Sequence, residues 1–200
     1  MRAFIAIDMP AQVLRQLTAV QRQLSQQLRV QQLDRCVRWT PAGNLHLTLR
    51  FLGEIDGLQQ RMLTQRLTQI AARHAHMTLF TGGMGCFPNT RRPSVIWCGL
   101  QGELAALSLL QAEVETAAQS AGLPAEAKPF TPHLTIGRLQ RSATVAQLQA
   151  VGSTAMHFAA TPGRLEETTP TVDELLLMRS ELTPSGSIYT RLGVFALQAA

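Results

Sequence analysis

Residues 46–49 read His-Leu-Thr-Leu and residues 133–136 read His-Leu-Thr-Ile, so the same pattern occurs once in each half of the chain. In a β-strand, side chains two residues apart share a face. Each copy therefore predicts a strand with an imidazole and a hydroxyl on one face and two aliphatic side chains in a core. We expect the two strands to form a cleft that contains His46, Thr48, His133 and Thr135, with Leu47, Leu49, Leu134 and Ile136 behind it.

Two imidazoles and two hydroxyls suit chemistry on a phosphate diester. Breaking such a diester needs one proton removed from the attacking oxygen and another given to the leaving oxygen, and histidine can do either near neutral pH. The threonine hydroxyls can hydrogen-bond to the non-bridging oxygens. No Asp or Glu lies within three residues of His46 or His133, which agrees with a site that needs no metal.

Two arginines are candidates for the cation that such a site needs. Arg138 follows the second motif, but strict alternation would place it on the face opposite His133. A bulge or bend at Gly137 would turn it back toward the cleft. Arg50 is the second candidate, because it lies four residues after His46 and an unbroken strand would put both side chains on the same face.

Composition indicates a soluble globular protein, because 46% of the 200 residues are hydrophobic and 16% are charged. We expect a single domain over residues 1–200, made of two pseudo-symmetric lobes. The net charge of +5 rests almost wholly on arginine, which fits either a nucleic-acid partner or a codon bias. No apolar run is long enough to span a membrane, and no signal peptide is recognisable. We therefore expect a cytoplasmic protein without a membrane partner.

Hydrophobic periodicity predicts an α+β fold. We expect helices over 11–29, 58–73, 102–121 and 143–150, the last with Ser142 as N-cap, and strands over 2–8, 45–52, 76–81, 94–100, 133–139, 155–160, 172–179 and 187–197. Each half repeats a strand, helix, motif-strand order. The predicted architecture is bilobal and internally duplicated, with two antiparallel sheets facing a central cleft and helices on the outside. Cys36, Cys86 and Cys98, which form no Cys-x-x-Cys pair, are expected to be buried, inert thiols.

The motifs and their flanks resemble those of the 2H phosphoesterase superfamily, and most closely its RNA 2′,3′-cyclic phosphodiesterase (2′-5′ RNA ligase) branch. The resemblance runs nearly end to end. It is carried by Arg2-Ala3-Phe4-Ile5-Ala6-Ile7, by residues 44–54 and 130–138, by Phe87-Pro88 and Arg91-Arg92-Pro93, and by Ser180-Glu181-Leu182 with Gly186 and Tyr189.

The resemblance implies hydrolysis of an RNA terminal 2′,3′-cyclic phosphate to a 2′-phosphomonoester, with reversible 2′-5′ ligation. It implies His46 as proton donor and His133 as proton acceptor, although the near-symmetric motifs leave that assignment open. Thr48, Thr135 and Arg138 would bind the phosphate, without a metal or cofactor. The expected partner is an RNA or oligonucleotide that ends in a cyclic phosphate, and the expected state is a monomer.

Other interpretations remain open at this point. The same site would suit linear oligonucleotides or small cyclic nucleotides, and an RNA-binding module with a vestigial site is a third interpretation. Phe4, Phe130 and Tyr189 would either stack on a base or belong to the core. Arg91 and Arg92 would belong either to an RNA track or to a solvated loop.

Overall fold

The computed structural model describes residues 1–160, 171–184 and 186–199. These residues form nine strands and four α-helices. The strands are β1 (Arg2–Asp8), β2 (Val37–Trp39), β3 (His46–Glu54), β4 (Met77–Phe87), β5 (Val95–Gly102), β6 (His133–Leu139), β7 (Thr171–Val172), β8 (Glu174–Thr183) and β9 (Gly186–Ala196). The helices are α1 (Ala11–Val30), α2 (Gly57–Ala71), α3 (Leu104–Ser120) and α4 (Val145–Ala159).

The strands form one antiparallel sheet in the order β7-β4-β5-β6-β3-β1-β8-β9, with β2 also paired to β6. The two halves of the sheet meet where β3 and β6 pair at a single position, Leu47 opposite Leu134. The predicted α+β class is confirmed. The two sheets that we expected to face each other are continuous through that one pair.

The helices pack on one face of the sheet. The side chains of β1 alternate between the two faces of the sheet. Ile5 and Ile7 belong to the large core that the helices complete. Phe4 and Ala6 point the other way and form a small separate cluster with residues of β8. The face that carries Phe4 and Ala6 is called the cleft face below. None of the helices in the described part of the chain is long and apolar enough to cross a membrane.

The prediction for residues 143–160 is wrong. We expected a short helix followed by a strand over 155–160, but α4 continues to Ala159. Its buried residues Val151, Ala155 and Phe158 follow helical spacing. The N-cap is Thr144 and not Ser142, because Thr144 and Gln147 form a reciprocal capping box.

The strand expected over 76–81 is longer than predicted, because β4 continues through Gly82, Gly83 and Gly85 to Phe87, with a register shift between Thr81 and Met84. A Cβ at Gly85 would lie 2.2 Å from the Trp97 ring. Glycine therefore lets the indole of β5 lie across β4.

The cysteine prediction is confirmed, because Cys36, Cys86 and Cys98 are buried and free. Burial raises the pKa of the Cys86 thiol to about 11 and that of Cys98 to about 12. Neither of these two thiols ionises near neutral pH, which agrees with the expected inertness.

Candidate active site

The two motif strands lie side by side, as the repeated pattern predicts. Leu47 and Leu134 are directly opposite and fully buried. His46 and Thr48 flank Leu47 on β3, and His133 and Thr135 flank Leu134 on β6, so strand alternation turns these four side chains to the face opposite the two leucines. Both imidazoles therefore face one cleft from neighbouring strands.

Arg138 reaches the cleft face through a bulge in β6. Gly137 pairs with Ile96 while Thr135 pairs with Trp97, so Ile136 is the extra residue. Ile136 and Gly137 are both buried, and Arg138 is exposed. The positive charge of Arg138 lowers the pKa of both His46 and His133. The guanidinium therefore lies within electrostatic reach of both imidazoles.

A second bulge removes Arg50 from the site. Thr48 pairs with Ala6 and Arg50 with Ile5, which leaves Leu49 as the extra residue. Arg50 consequently turns toward the helices and is only 6% exposed. The parity argument that made Arg50 a candidate phosphate ligand is therefore wrong, since it assumes an unbroken strand.

Arg50 is instead the buried centre of an ion-pair network. Its Nε lies 2.6 Å from Oε2 of Glu115 and its Nη1 lies 3.0 Å from Oε2 of Glu126. The Nε–H is not aligned for a hydrogen bond to Glu115, so that contact is an ion pair only. Nη1 and Nη2 also donate to the carbonyls of Phe51 and Pro124. Arg50 thus ties β3 to α3 and to the segment that follows it.

Substitution of Arg50 by Met is expected to lower the free energy of unfolding by about 1–3 kcal/mol, because two carboxylates and two carbonyls each lose one hydrogen-bond or ion-pair partner. Denaturant titration of the purified protein measures the loss. The exposed Arg15 on α1 provides a matched control, and Arg15→Met is expected to change stability by about 0.5 kcal/mol or less. A similarly small effect of Arg50→Met would contradict a structural role.

His133 is held with one ring nitrogen engaged and the other free. Its Nδ1 is 2.7 Å from the Thr131 carbonyl oxygen, so Nδ1–H donates and the neutral ring presents Nε2 as an acceptor. The ring contacts Phe87 edge-on, with centroids 4.9 Å apart, and lies 6.3 Å from Trp97. Burial is the main reason that the pKa of His133 lies below its usual value. The neutral form, which can accept a proton, is therefore favoured.

His46 has a similar setting with one difference. Its ring stacks on Phe4 at a centroid distance of 4.8 Å and meets Tyr189 edge-on at 5.2 Å. Burial again lowers the pKa of His46, while a hydrogen bond with the Asn44 backbone and the charge of Asp8 oppose the shift. Asp8 lies opposite His46 in the sheet and pairs with Arg191 at 2.5 Å. Among the described residues, no carboxylate acts on His133 in this way.

The aromatic candidates contact protein groups. Phe4 is 2% exposed, so it supports His46 and offers no face to a base. Tyr189 lies against Phe4 and His46, and Phe130 packs against the core. Arg91 and Arg92 are exposed, and their backbone amides donate to the Asn89 side chain.

Sequence reasoning missed the contributions of Asp8, Phe87 and Trp97. Only the position of Asp8 at the end of β1, beside the first motif strand, was a signal that could have been used. Among residues 1–160, 171–184 and 186–199, no group of three or more His, Cys, Asp or Glu side chains is arranged to hold a metal ion.

Comparison with known proteins places this chain in a family. The sequence profile of the 2′-5′ RNA ligase superfamily matches residues 17–183. An RNA 2′,3′-cyclic phosphodiesterase of Aeropyrum pernix is 31% identical over 149 residues, which are 74% of this chain and 80% of that protein. The enzyme of the same name from Methanothermobacter thermautotrophicus is 28% identical, with 98% of each chain covered.

Solved structures share the fold. A crystal structure of a Thermus thermophilus protein has a TM-score of 0.77 at 27% identity and covers 100% of this chain and 99% of that one. Escherichia coli LigT in complex with 3′-AMP has a TM-score of 0.67 at 25% identity, with 98% of this chain and 97% of that one covered. With its paired motifs, the matching profile and these relatives, the chain belongs to the 2′-5′ RNA ligase superfamily.

Proposed function

We propose that this protein hydrolyses the terminal 2′,3′-cyclic phosphate of RNA to a 2′-phosphomonoester by two-histidine acid–base catalysis that needs no metal. The observation that carries the proposal is the pairing of Leu47 with Leu134, which brings both His-Leu-Thr motifs to one cleft. The relatives named RNA 2′,3′-cyclic phosphodiesterase support the same reaction. Membership of the superfamily by itself supports phosphoesterase activity.

In the proposed reaction, a water molecule attacks phosphorus on the side opposite the 3′-oxygen. Nε2 of neutral His133 takes a proton from the water as the new P–O bond forms. The P–O3′ bond breaks, and protonated His46 gives its proton to the leaving 3′-oxygen. The products are a 2′-phosphomonoester and a free 3′-hydroxyl, and proton transfer through solvent restores the two imidazoles.

The role of each imidazole is assigned from its surroundings. Burial disfavours the protonated form of His46, and the charge of Asp8 partly offsets this effect, as a proton donor requires. No such carboxylate acts on His133 among the described residues, and its neutral ring presents Nε2 as the proton acceptor. Thr48 and Thr135 would donate hydrogen bonds to the non-bridging oxygens, and Arg138 would offset the charge that develops on them.

The same groups would also support 2′-5′ ligation. The 5′-hydroxyl of a second RNA would take the place of water, lose its proton to His133 and form the new bond to phosphorus. His46 would again protonate the 3′-oxygen, which leaves a 2′-5′ linkage. No nucleotide cofactor is consumed, because the ring opening of the cyclic phosphate drives the step.

An oligonucleotide with a 2′,3′-cyclic phosphate end, incubated with the protein in excess chelator, tests the proposal. We expect full turnover to a product of unchanged length that carries a 2′-phosphate. Loss of activity in chelator, restored by a divalent ion, would contradict the metal-independent mechanism. A shortened product would favour linear oligonucleotides as substrates. RNA binding with a steep salt dependence and no turnover would indicate a vestigial site.

The assignment of His46 as acid also predicts a pH effect. The carboxylate of Asp8 raises the pKa of His46, so Asp8→Asn should lower that pKa. The alkaline limb of the kcat/KM profile, where the acid loses its proton, should then move to lower pH. Arg191 partly neutralises Asp8, so Arg191→Gln should move the same limb to higher pH. An alkaline limb that stays in place in Asp8→Asn would argue against His46 as the acid.

A further inference from the structure

A second arginine lies beside Arg138 on the cleft face. In β2, Arg38 is directly opposite Arg138, and Trp39 is opposite Gly137. A Cβ at Gly137 would lie 2.9 Å from Cγ1 of Val37 and 3.2 Å from the Trp39 ring. Val37 and Trp39 therefore point to the helix side, and Arg38 points to the cleft face. Its side chain is exposed.

The two guanidinium groups lack carboxylate partners in the described part of the chain. Arg38 and Arg138 form no ion pair with any described residue, whereas five other arginines do so there: Arg29, Arg50, Arg73, Arg179 and Arg191. Like charges directly opposite in an antiparallel pair destabilise a sheet. An anionic ligand that contacts both groups would remove this repulsion, so the pair is suited to a substrate with more than one negative charge.

The two arginines differ in their relation to the imidazoles. Arg138 lowers the pKa of both His46 and His133, and Arg38 is not among the groups that act on either. Arg38 is a cross-strand neighbour of Arg138, about 5 Å away at the Cα level, on a strand that carries neither imidazole. Arg38 is thus placed to hold a second phosphate beside the one that Arg138 faces.

We propose that Arg38 binds the phosphodiester that joins the last two nucleotides of the RNA, while Arg138 binds the terminal cyclic phosphate. This inference rests on the proposed function and adds a subsite to it. The subsite distinguishes an RNA end from a free nucleoside cyclic phosphate, because only the former carries the second phosphate. Arginine suits this position because its planar fork can bind two phosphate oxygens at once.

The test compares two substrates in chelator: a nucleoside 2′,3′-cyclic phosphate, and a dinucleotide that ends in the same cyclic phosphate. We expect Arg38→Gln to lower kcat/KM for the dinucleotide about tenfold, as loss of one charge-assisted contact predicts. Activity on the mononucleotide should not change, which also shows that the variant is folded. Arg38→Lys should retain part of the dinucleotide activity. Arg15→Gln removes one charge from α1, which lies across the sheet from the cleft, and should change neither activity.

Salt dependence gives a second readout. We expect the logarithm of kcat/KM for the dinucleotide to fall linearly with the logarithm of the salt concentration. In Arg38→Gln this slope should be smaller in magnitude by about 0.7, the value for the loss of one phosphate contact on a single strand. Equal losses on both substrates, or no loss on either, would overturn the subsite while leaving the proposed function in place. Failure of the unaltered protein to hydrolyse either substrate would overturn the proposed function, and the subsite with it.

Discussion

Replacement of His133 by alanine is expected to lower kcat/KM for a 2′,3′-cyclic phosphate by about 10²–10⁴-fold, the usual contribution of a general base. His46→Ala should cause a loss of the same order, because the leaving 3′-oxygen then departs without a proton. Since the two groups act in one step, the double variant should lose little more than either single variant. Initial rates at several substrate concentrations, measured in chelator, give the values.

His76→Ala is the matched control for these variants. His76 lies in the connection between α2 and β4, and its backbone N–H donates to the Gln198 carbonyl. This backbone contact does not depend on the side chain, and we expect unchanged activity. Near-normal rates for His133→Ala would contradict the mechanism. Multiplicative losses in the double variant would contradict a concerted role for the two imidazoles.

Arg138→Gln is expected to lower kcat/KM by about 10²–10³-fold, as removal of one donor to a developing oxyanion does. The substitution should also change the pH profile. Arg138 lowers the pKa of His46 and His133, so its removal should raise both. Both limbs of the kcat/KM profile should consequently move to higher pH.

NMR titration of the two imidazoles checks the electrostatic part of this prediction independently of turnover. Arg138→Lys keeps the charge, so its pKa values should stay close to those of the unaltered protein. Its activity should remain reduced, because an ammonium cannot bind two oxygens in the guanidinium geometry. Unchanged imidazole pKa values in Arg138→Gln would show that the guanidinium is not where the bulge places it.

The predicted elements match the structure where a local pattern decides the outcome. The helix that periodicity predicts over 11–29 is α1, which spans Ala11–Val30. Strand alternation puts Leu47 and Leu134 in the core and their histidines on the other face. Apolar residues recur every two residues in these strands and every three or four residues in these helices. Such short-range spacings can be identified from the sequence alone.

The two bulges show where a local pattern does not suffice. One extra residue at Leu49 turns Arg50 into the core, and one at Ile136 turns Arg138 into the cleft. Gly137 indicated the bulge at Ile136, and nothing in the residues around Leu49 indicated the bulge in β3. A bulge inverts the facing of every later residue in its strand, so parity alone ranked the two arginines incorrectly.

Long-range packing accounts for the other differences. The three-residue strand β2 is too short to show alternation, and its partner β6 is distant in the sequence. The glycines of β4 fit loop and strand equally well until the Trp97 indole is placed across them. The position of Arg38 opposite Arg138 follows from this pairing and is not visible in either segment alone.

A crystal structure with a bound nucleoside vanadate, which imitates five-coordinate phosphorus, tests most directly whether two imidazoles act on one phosphorus atom. We predict Nε2 of His46 within hydrogen-bond reach, about 2.6–3.2 Å, of the 3′-oxygen. Nε2 of His133 should lie at the same distance from the oxygen on the opposite side of the same vanadium. A complex in which only one imidazole contacts the vanadate oxygens would contradict the mechanism.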